Sequence, residues 1–175
     1  MGRNIYIIGF MGTGKTSVAK LLSEKIGYDF IDIDKSIEER INMPINEIFE
    51  RFGEAEFRKI ESEVLLNITS KNNLIVSTGG GIVLNLANLE NMKASGYIIT
   101  LIATPDVIYD RTKLSNLRPL LNKKNKLDEI KRLLYMRAPL YIKGDFILDT
   151  SDITANEAAD EIVEFLNEAN CRSKT

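Results

Sequence analysis

Along the chain, short unbroken apolar runs alternate with longer stretches in which apolar residues recur every three or four positions. The runs cover residues 5–9, 29–33, 74–77, 97–103 and 146–148. Their length and β-branched content predict strands, and their alternation with helical patterns predicts a parallel sheet covered by helices on both faces. Residues 17–26 have helical spacing and stop at Gly27. Thr104-Pro105 reads as the N-cap and first position of a helix over 105–112, and Pro44 opens a short helix that Gly53 ends. The pattern as a whole predicts an α/β, three-layer fold in a single domain spanning 1–175, without internal repeats or linkers.

Two segments interrupt the scheme. Residues 35–70 form a helical insert after the second strand. Residues 113–126, "KLSNLRPLLNKKNK", are rich in Lys and Asn without a clean period, which predicts a mobile lid, although a solvated surface loop has the same composition.

Directly after the first strand, "GFMGTGKT" spells G-x-x-x-x-G-K-[ST] from Gly9 to Thr16. Glycines let such a loop curl with its N–H groups turned towards phosphate oxygens. Gly12, Thr13, Gly14, Lys15, Thr16 and Ser17 are therefore the candidate nucleotide contacts, with Lys15 at the β/γ-phosphates and the Thr16 hydroxyl on Mg²⁺. A strand before the loop and a helix after it supply the context this motif requires. The chain is thus expected to hold a nucleoside triphosphate, and the remaining residues must name what receives the phosphate.

"DFIDIDK" closes the second strand with Asp32 and Asp34 at alternate positions, expected on one side of that strand. Phosphoryl transfer to a hydroxyl needs a carboxylate near the metal and one near the hydroxyl. Asp32 suits the first role and Asp34 the second, though a strand end opening to solvent would look the same. In "EAEFRKIESEVLLNI", Phe57, Ile60, Val64, Leu65 and Ile68 share a helical face that also contains Glu61, with Arg58 at its edge. A carboxylate on a buried stripe is costly unless paired, so Glu61 is expected to orient Arg58 at i,i+3. Arg137 falls on the stripe of Leu127, Ile130, Leu133 and Leu134, in the last turn before Pro139. There it either favours the helix dipole and snorkels outward, or joins Arg58 in reading an acceptor carboxylate. Gly79, Gly80 and Gly81 follow the third strand at the carboxyl edge, where open α/β sheets bind ligands. They either expose N–H groups to an anion or hydroxyl, or serve the turn alone.

Composition narrows the class. The 175 residues carry 23 basic and 25 acidic side chains, a net charge of −2 with pI near 5.4, which argues against nucleic acid or an anionic membrane as partner. No apolar run approaches a membrane span, the first is too short for a signal peptide, and the opening "MGRNIY" places Tyr6 where a myristoylation signal wants Ser or Thr. The lone Cys171, in a polar tail, offers no disulfide framework and fits a reducing cytosol.

Taken together, GFMGTGKT, D-I-D at Asp32–Asp34, GEAEFRKIE, GGG, RPLL and RAPLY stand in the order and spacing of the shikimate kinases, which this chain resembles over residues 5–148. The resemblance implies a nucleoside-monophosphate-kinase-like fold with a five-stranded parallel sheet, a substrate-binding insert and a lid. It implies phosphate transfer from MgATP to the 3-hydroxyl of shikimate by a cytoplasmic monomer on the route to aromatic amino acids. By the same resemblance, Lys15 and Arg118 sit on the transferring phosphoryl group, Thr16 and Asp32 on Mg²⁺, and Asp34 at the hydroxyl as base. Arg58 and Arg137 clamp the carboxylate, Gly79 to Gly81 meet the ring substituents, and Arg111 in "YDRT" stacks on adenine. Nothing after Leu148 matches a known adenine pocket. Two rivals stay open: a kinase for another carboxylated polyol such as gluconate, and a GTPase-type switch. The switch is suggested by N-K-x-D at Asn125–Asp128 but lacks the D-x-x-G such a protein needs.

Overall fold

In the first strand Tyr6 and Ile8 point to one face while Ile5 and Ile7 point to the other, and all four are buried. A strand with no solvent face belongs inside a sheet with helices on both sides. The computed structural model describes residues 3–113 and 125–172 and contains this arrangement. Its strands are β1 (Asn4–Gly9), β2 (Asp29–Asp32), β3 (Leu74–Ser77), β4 (Gly96–Ile102) and β5 (Phe146–Asp149), all parallel in the order β2-β3-β1-β4-β5. The described helices are α1 (Lys15–Ile26), α2 (Ile33–Ile41), α3 (Ile45–Thr69), α4 (Leu86–Ser95), α5 (Pro105–Thr112), α6 (Lys126–Tyr141) and α7 (Ala155–Arg172).

Two apolar layers flank the sheet. On one face Tyr6, Ile8, Val76 and Ile98 pack with Ile37, Leu65, Met92, Ile108 and Ile130 from α2 to α6. On the other Ile5, Ile7, Ile75 and Ile99 pack with Val18 and Leu22 of α1 and Ala158 and Ile162 of α7. The edge strands β2 and β5 are only partly covered, each having a neighbour on one side alone. Strand order places β1 at the centre, so the loop leaving its carboxyl end opens over the middle of the sheet.

Four local expectations are corrected. The second strand stops at Asp32, whose side chain accepts from the Lys35 N–H as N-cap of α2; Asp34 therefore lies in the first helical turn rather than on the strand. Gly53, with φ 78° and ψ 168°, breaks α3 as expected, but the helix resumes at once because Phe57, Val64 and Leu65 bury the next face. Pro139 does not end α6, which continues to Tyr141, itself buried. The tail is not simply polar: Ala158, Ala159, Ile162 and Leu166 form the buried stripe of α7, and Cys171 is exposed in its last turn. Of the expected lid, residues 114–124 lie outside the described residues. Among the described residues no helix is long and apolar enough to cross a membrane.

Candidate active site

The loop between β1 and α1 curls as the motif requires. Gly12 and Gly14 adopt φ values of 81° and 90°, a left-handed backbone that L side chains resist. Gly14 is the N-cap of α1, so the first turn of the helix, whose N–H groups have no carbonyl partner within the helix, lines the same space as the loop. Lys15 is 6% exposed and its ammonium donates to the Phe10 carbonyl at 2.9 Å, which holds the charge under the loop. A cavity of about 190 Å³ opens here, lined by Gly12, Gly14, Lys15, Thr16, Ser17, Asp32, Asp34, Ser77 and Thr78. Packing thus gathers the loop and both aspartates from different elements around one space.

On one wall the Thr16 hydroxyl donates to Asp32 Oδ2 at 3.0 Å and meets the Ser77 hydroxyl at 3.1 Å. The other Asp32 oxygen caps α2. The sequence pattern does not single out Ser77; a serine closing a strand carries no signal until its neighbour is known.

Beyond Asp34 the neighbouring region is made of charge and missing side chains. Glu61 is 0% exposed, and its Oε2 accepts from Arg58 Nη1 at 2.7 Å, while Arg58 Nη2 reaches Glu54 at 3.1 Å. Burial pushes the Glu61 carboxyl up from 4.5 to about 6, against the pull of the Arg58 guanidinium. Glu61 Oε1 has no hydrogen-bond partner among the described residues. The Arg58 guanidinium lies 5.1 Å from the centre of the Phe57 ring.

Why three glycines follow β3 becomes clear here. None of them has a positive φ, so backbone conformation does not demand glycine. Space does. A methyl group on Gly79 would lie 2.5 Å from Glu61 Oε1 and 2.9 Å from Asp34 Oδ1, and one on Gly81 would lie 2.2 Å from Arg58 Nη2. Gly80 abuts the phosphate loop, where its methyl would stand 3.3 Å from the Met11 N–H nitrogen. The loop is therefore the floor on which the nucleotide cavity, Asp34 and the Arg58–Glu61 pair converge.

Arg137 does not snorkel outward. It is 5% exposed, donates to the Gly80 carbonyl at 3.3 Å, and lies 5.7 Å from the centre of the Phe10 ring. Tyr141, which no sequence motif marks, donates to the same carbonyl at 2.6 Å, and burial raises its hydroxyl to about 12. Both arginines thus stand against the glycine loop. On the nucleotide side, Arg111 donates to the Thr150 carbonyl at 2.6 Å and the Gly12 carbonyl at 3.3 Å. Arg118 lies outside the described residues. The N-K-x-D stretch opens α6 instead of following a strand: Asn125 bonds Asp128, and the Lys126 ammonium bonds the Thr112 carbonyl. None of its residues lines the cavity at the phosphate loop.

A parallel sheet of this order, a phosphate loop over its central strand and, beside it, a buried and a half-buried arginine packed on the glycine loop define a P-loop kinase acting on a small acceptor. The shikimate kinase family model matches residues 11–167, and the chain belongs to that family. It is 48% identical to the shikimate kinase of Thermodesulfovibrio yellowstonii over 162 residues, covering 93% of this chain and 94% of the relative. The shikimate kinase of Geobacter sulfurreducens is 38% identical over 95% of this chain and 92% of its own. Among solved structures, shikimate kinase from Acinetobacter baumannii in complex with shikimate superposes with a TM-score of 0.93 at 34% identity, covering 97% of this chain and 95% of that one. The Aquifex aeolicus enzyme gives 0.85 at 38% identity, covering 95% and 98%.

Proposed function

We propose that the chain transfers the γ-phosphoryl group of ATP to the 3-hydroxyl of shikimate, giving shikimate 3-phosphate and ADP on the route to the aromatic amino acids. One observation carries the assignment of roles: Asp34 lines the nucleotide cavity and also reaches over Gly79 beside Glu61 and Arg58. A carboxylate at that junction can touch an acceptor hydroxyl and the phosphoryl group it attacks. The hydroxyl oxygen forms the new bond to γ-phosphorus, the bond from γ-phosphorus to the β–γ bridging oxygen breaks, and the hydroxyl proton passes to Asp34.

The other roles follow from chemistry and position. Lys15, with Arg118, neutralises charge on the transferring group, and the N–H groups of residues 12–17 hold the phosphates. Arg58 and Arg137 clamp the acceptor carboxylate, with Gly79, Gly80 and Gly81 lending N–H groups to its ring substituents. Arg111 is exposed and tethered to the loop, a platform suited to the adenine face. Thr16 and Asp32 supply hard oxygen donors that suit Mg²⁺. The two oxygens already meet, the Thr16 hydroxyl donating to Asp32 at 3.0 Å, and a cation held by two such donors takes its other ligands from phosphate oxygens and water. Bound there, Mg²⁺ would offset charge on the β- and γ-phosphates. The net charge of −2 supports an enzyme without nucleic-acid or membrane partners, and the family resemblance supports a cytoplasmic monomer.

An ADP-release assay tests the reading, run with shikimate, with gluconate and with no acceptor, each with and without Mg²⁺. Release should require both shikimate and the metal. Equal release without acceptor would overturn the kinase assignment, and a preference for gluconate would overturn the acceptor.

A further inference from the structure

Against the phosphate loop, outside the residues that line the cavity, stands Thr150. It follows β5 directly and is 3% exposed. Its N–H donates to the Ile102 carbonyl at 2.9 Å, extending the β4–β5 ladder, and its own carbonyl accepts Arg111 Nη2 at 2.6 Å. Its hydroxyl oxygen lies 2.9 Å from the Thr13 carbonyl, 3.1 Å from the Ile102 carbonyl and 3.3 Å from Arg111 Nη1. A hydroxyl carries one proton, and Ile102 is already served by the Thr150 N–H. Thr13 is 1% exposed, and no other donor among the described residues reaches its carbonyl. Donation to Thr13 is the arrangement that leaves no buried carbonyl unpaired.

The consequence lies one atom further along the chain. All described peptide bonds are trans, so in the Thr13–Gly14 peptide the N–H points opposite to the carbonyl. With the carbonyl tied back to Thr150, the Gly14 N–H faces forward, and Gly14 lines the cavity. The preceding peptide is held from the same side, its Gly12 carbonyl taking Arg111 Nη1. We propose that Thr150 is a positioning residue for phosphate binding: its hydroxyl holds the Thr13–Gly14 peptide in the orientation that presents the Gly14 N–H to a phosphate. Thr150 touches no phosphate itself. The proposal rests on the nucleotide-binding reading of the loop.

Calorimetric binding of ADP and of inorganic tripolyphosphate to the whole protein tests it, with Thr150→Val, Thr150→Ser and the wild type compared. Thr150→Val should weaken both probes by a common factor of about 3- to 10-fold, the effect of one neutral hydrogen bond. Thr150→Ser should bind both like the wild type, and shikimate affinity should be unchanged in either variant. Weakening confined to ADP would mean that Thr150 acts through Arg111 on the base, which overturns the proposal. So would a lowered melting temperature with unchanged affinities, or a parallel loss of shikimate binding. If the wild type binds neither probe, the nucleotide reading of the loop fails and this proposal falls with it.

Discussion

The two halves of the active site are made of different materials. The nucleotide half is backbone: a single stretch from Gly9 to Ser17 whose left-handed glycines and helix N-terminus turn amides towards the cavity. The acceptor half is side chain: Asp34 from α2, Arg58 and Glu61 from α3, Arg137 from α6, all meeting over the loop after β3. The amides of such a cradle carry no net charge, and the Lys15 ammonium beneath them leans on the Phe10 carbonyl. The acceptor half gathers four ionisable groups, Glu61 and Arg137 buried and Asp34 and Arg58 half-buried. Each has to be offset by a neighbour, as Arg58 offsets Glu61, or by a carbonyl, as Gly80 serves Arg137. Glycine differs in meaning between the halves too. At Gly12 and Gly14 it permits a backbone angle, whereas at Gly79 and Gly81 it makes room for carboxylates and a guanidinium.

This contrast can be broken in graded ways. The largest effect is expected where the halves touch. Asp34→Asn should lower kcat by about 10²–10⁴-fold while ADP affinity by calorimetry stays near wild type, because the amide still bonds the acceptor hydroxyl but takes no proton. A variant retaining most of its kcat would mean that positioning alone drives the transfer.

Next comes Arg58→Ala, which should weaken shikimate binding by about 2–5 kcal/mol without changing nucleotide affinity. Part of that loss reflects Glu61 left buried and unpaired. If the melting temperature falls while shikimate still binds normally, Arg58 is a structural partner of Glu61 and nothing more.

Gly81→Ala separates space from conformation. Its φ of −104° suits any residue, yet the new methyl would stand 2.2 Å from Arg58 Nη2 and must displace it. A displaced clamp of this kind costs about 10²-fold in kcat/KM for shikimate, and ADP binding should not respond. A fully active Gly81→Ala enzyme would remove the volume argument.

The smallest effect reads the dryness of the acceptor half. Glu61 holds its proton more tightly folded than unfolded, since burial lifts its carboxyl from 4.5 to about 6. Its contribution to stability is therefore fully present below the ordinary carboxylate value and is lost as pH rises through about 6. Glutamine does not titrate. Between acid and neutral pH, Glu61→Gln should thus gain on the wild type by about 2 kcal/mol of unfolding free energy, from a rise of roughly 1.5 in pKa at about 1.36 kcal/mol each. Denaturant unfolding of both proteins across that range measures the gap, and a gap that does not change with pH would show the carboxylate to be solvated.

Much of the fold and half of the site are legible in the order of the residues. The phosphate loop is legible because the residues that curl it and those that use it are neighbours in sequence. The Arg58–Glu61 pair is legible for the same reason, being three residues apart on one helix, and the buried strands announce themselves by continuous apolar runs. Other features have no local signature. Asp34 belongs to a helix instead of a strand because one oxygen of Asp32 caps the Lys35 N–H, a choice between two conformations that the residues alone leave nearly balanced. The stripe of α7 is a buried face only because α1 stands opposite it.

By itself, then, the sequence determined whatever forms within a few residues of itself: the strands and helices, the curled loop, and the i,i+3 ion pair. Tertiary structure alone decided the role of residues whose chemistry is ordinary and whose partners are far away. Tyr141 meets Gly80 across 61 positions and Thr150 meets Thr13 across 137. At such separations the contact is set by how the layers pack, because a hydroxyl will donate to whichever carbonyl the packing leaves unpaired beside it.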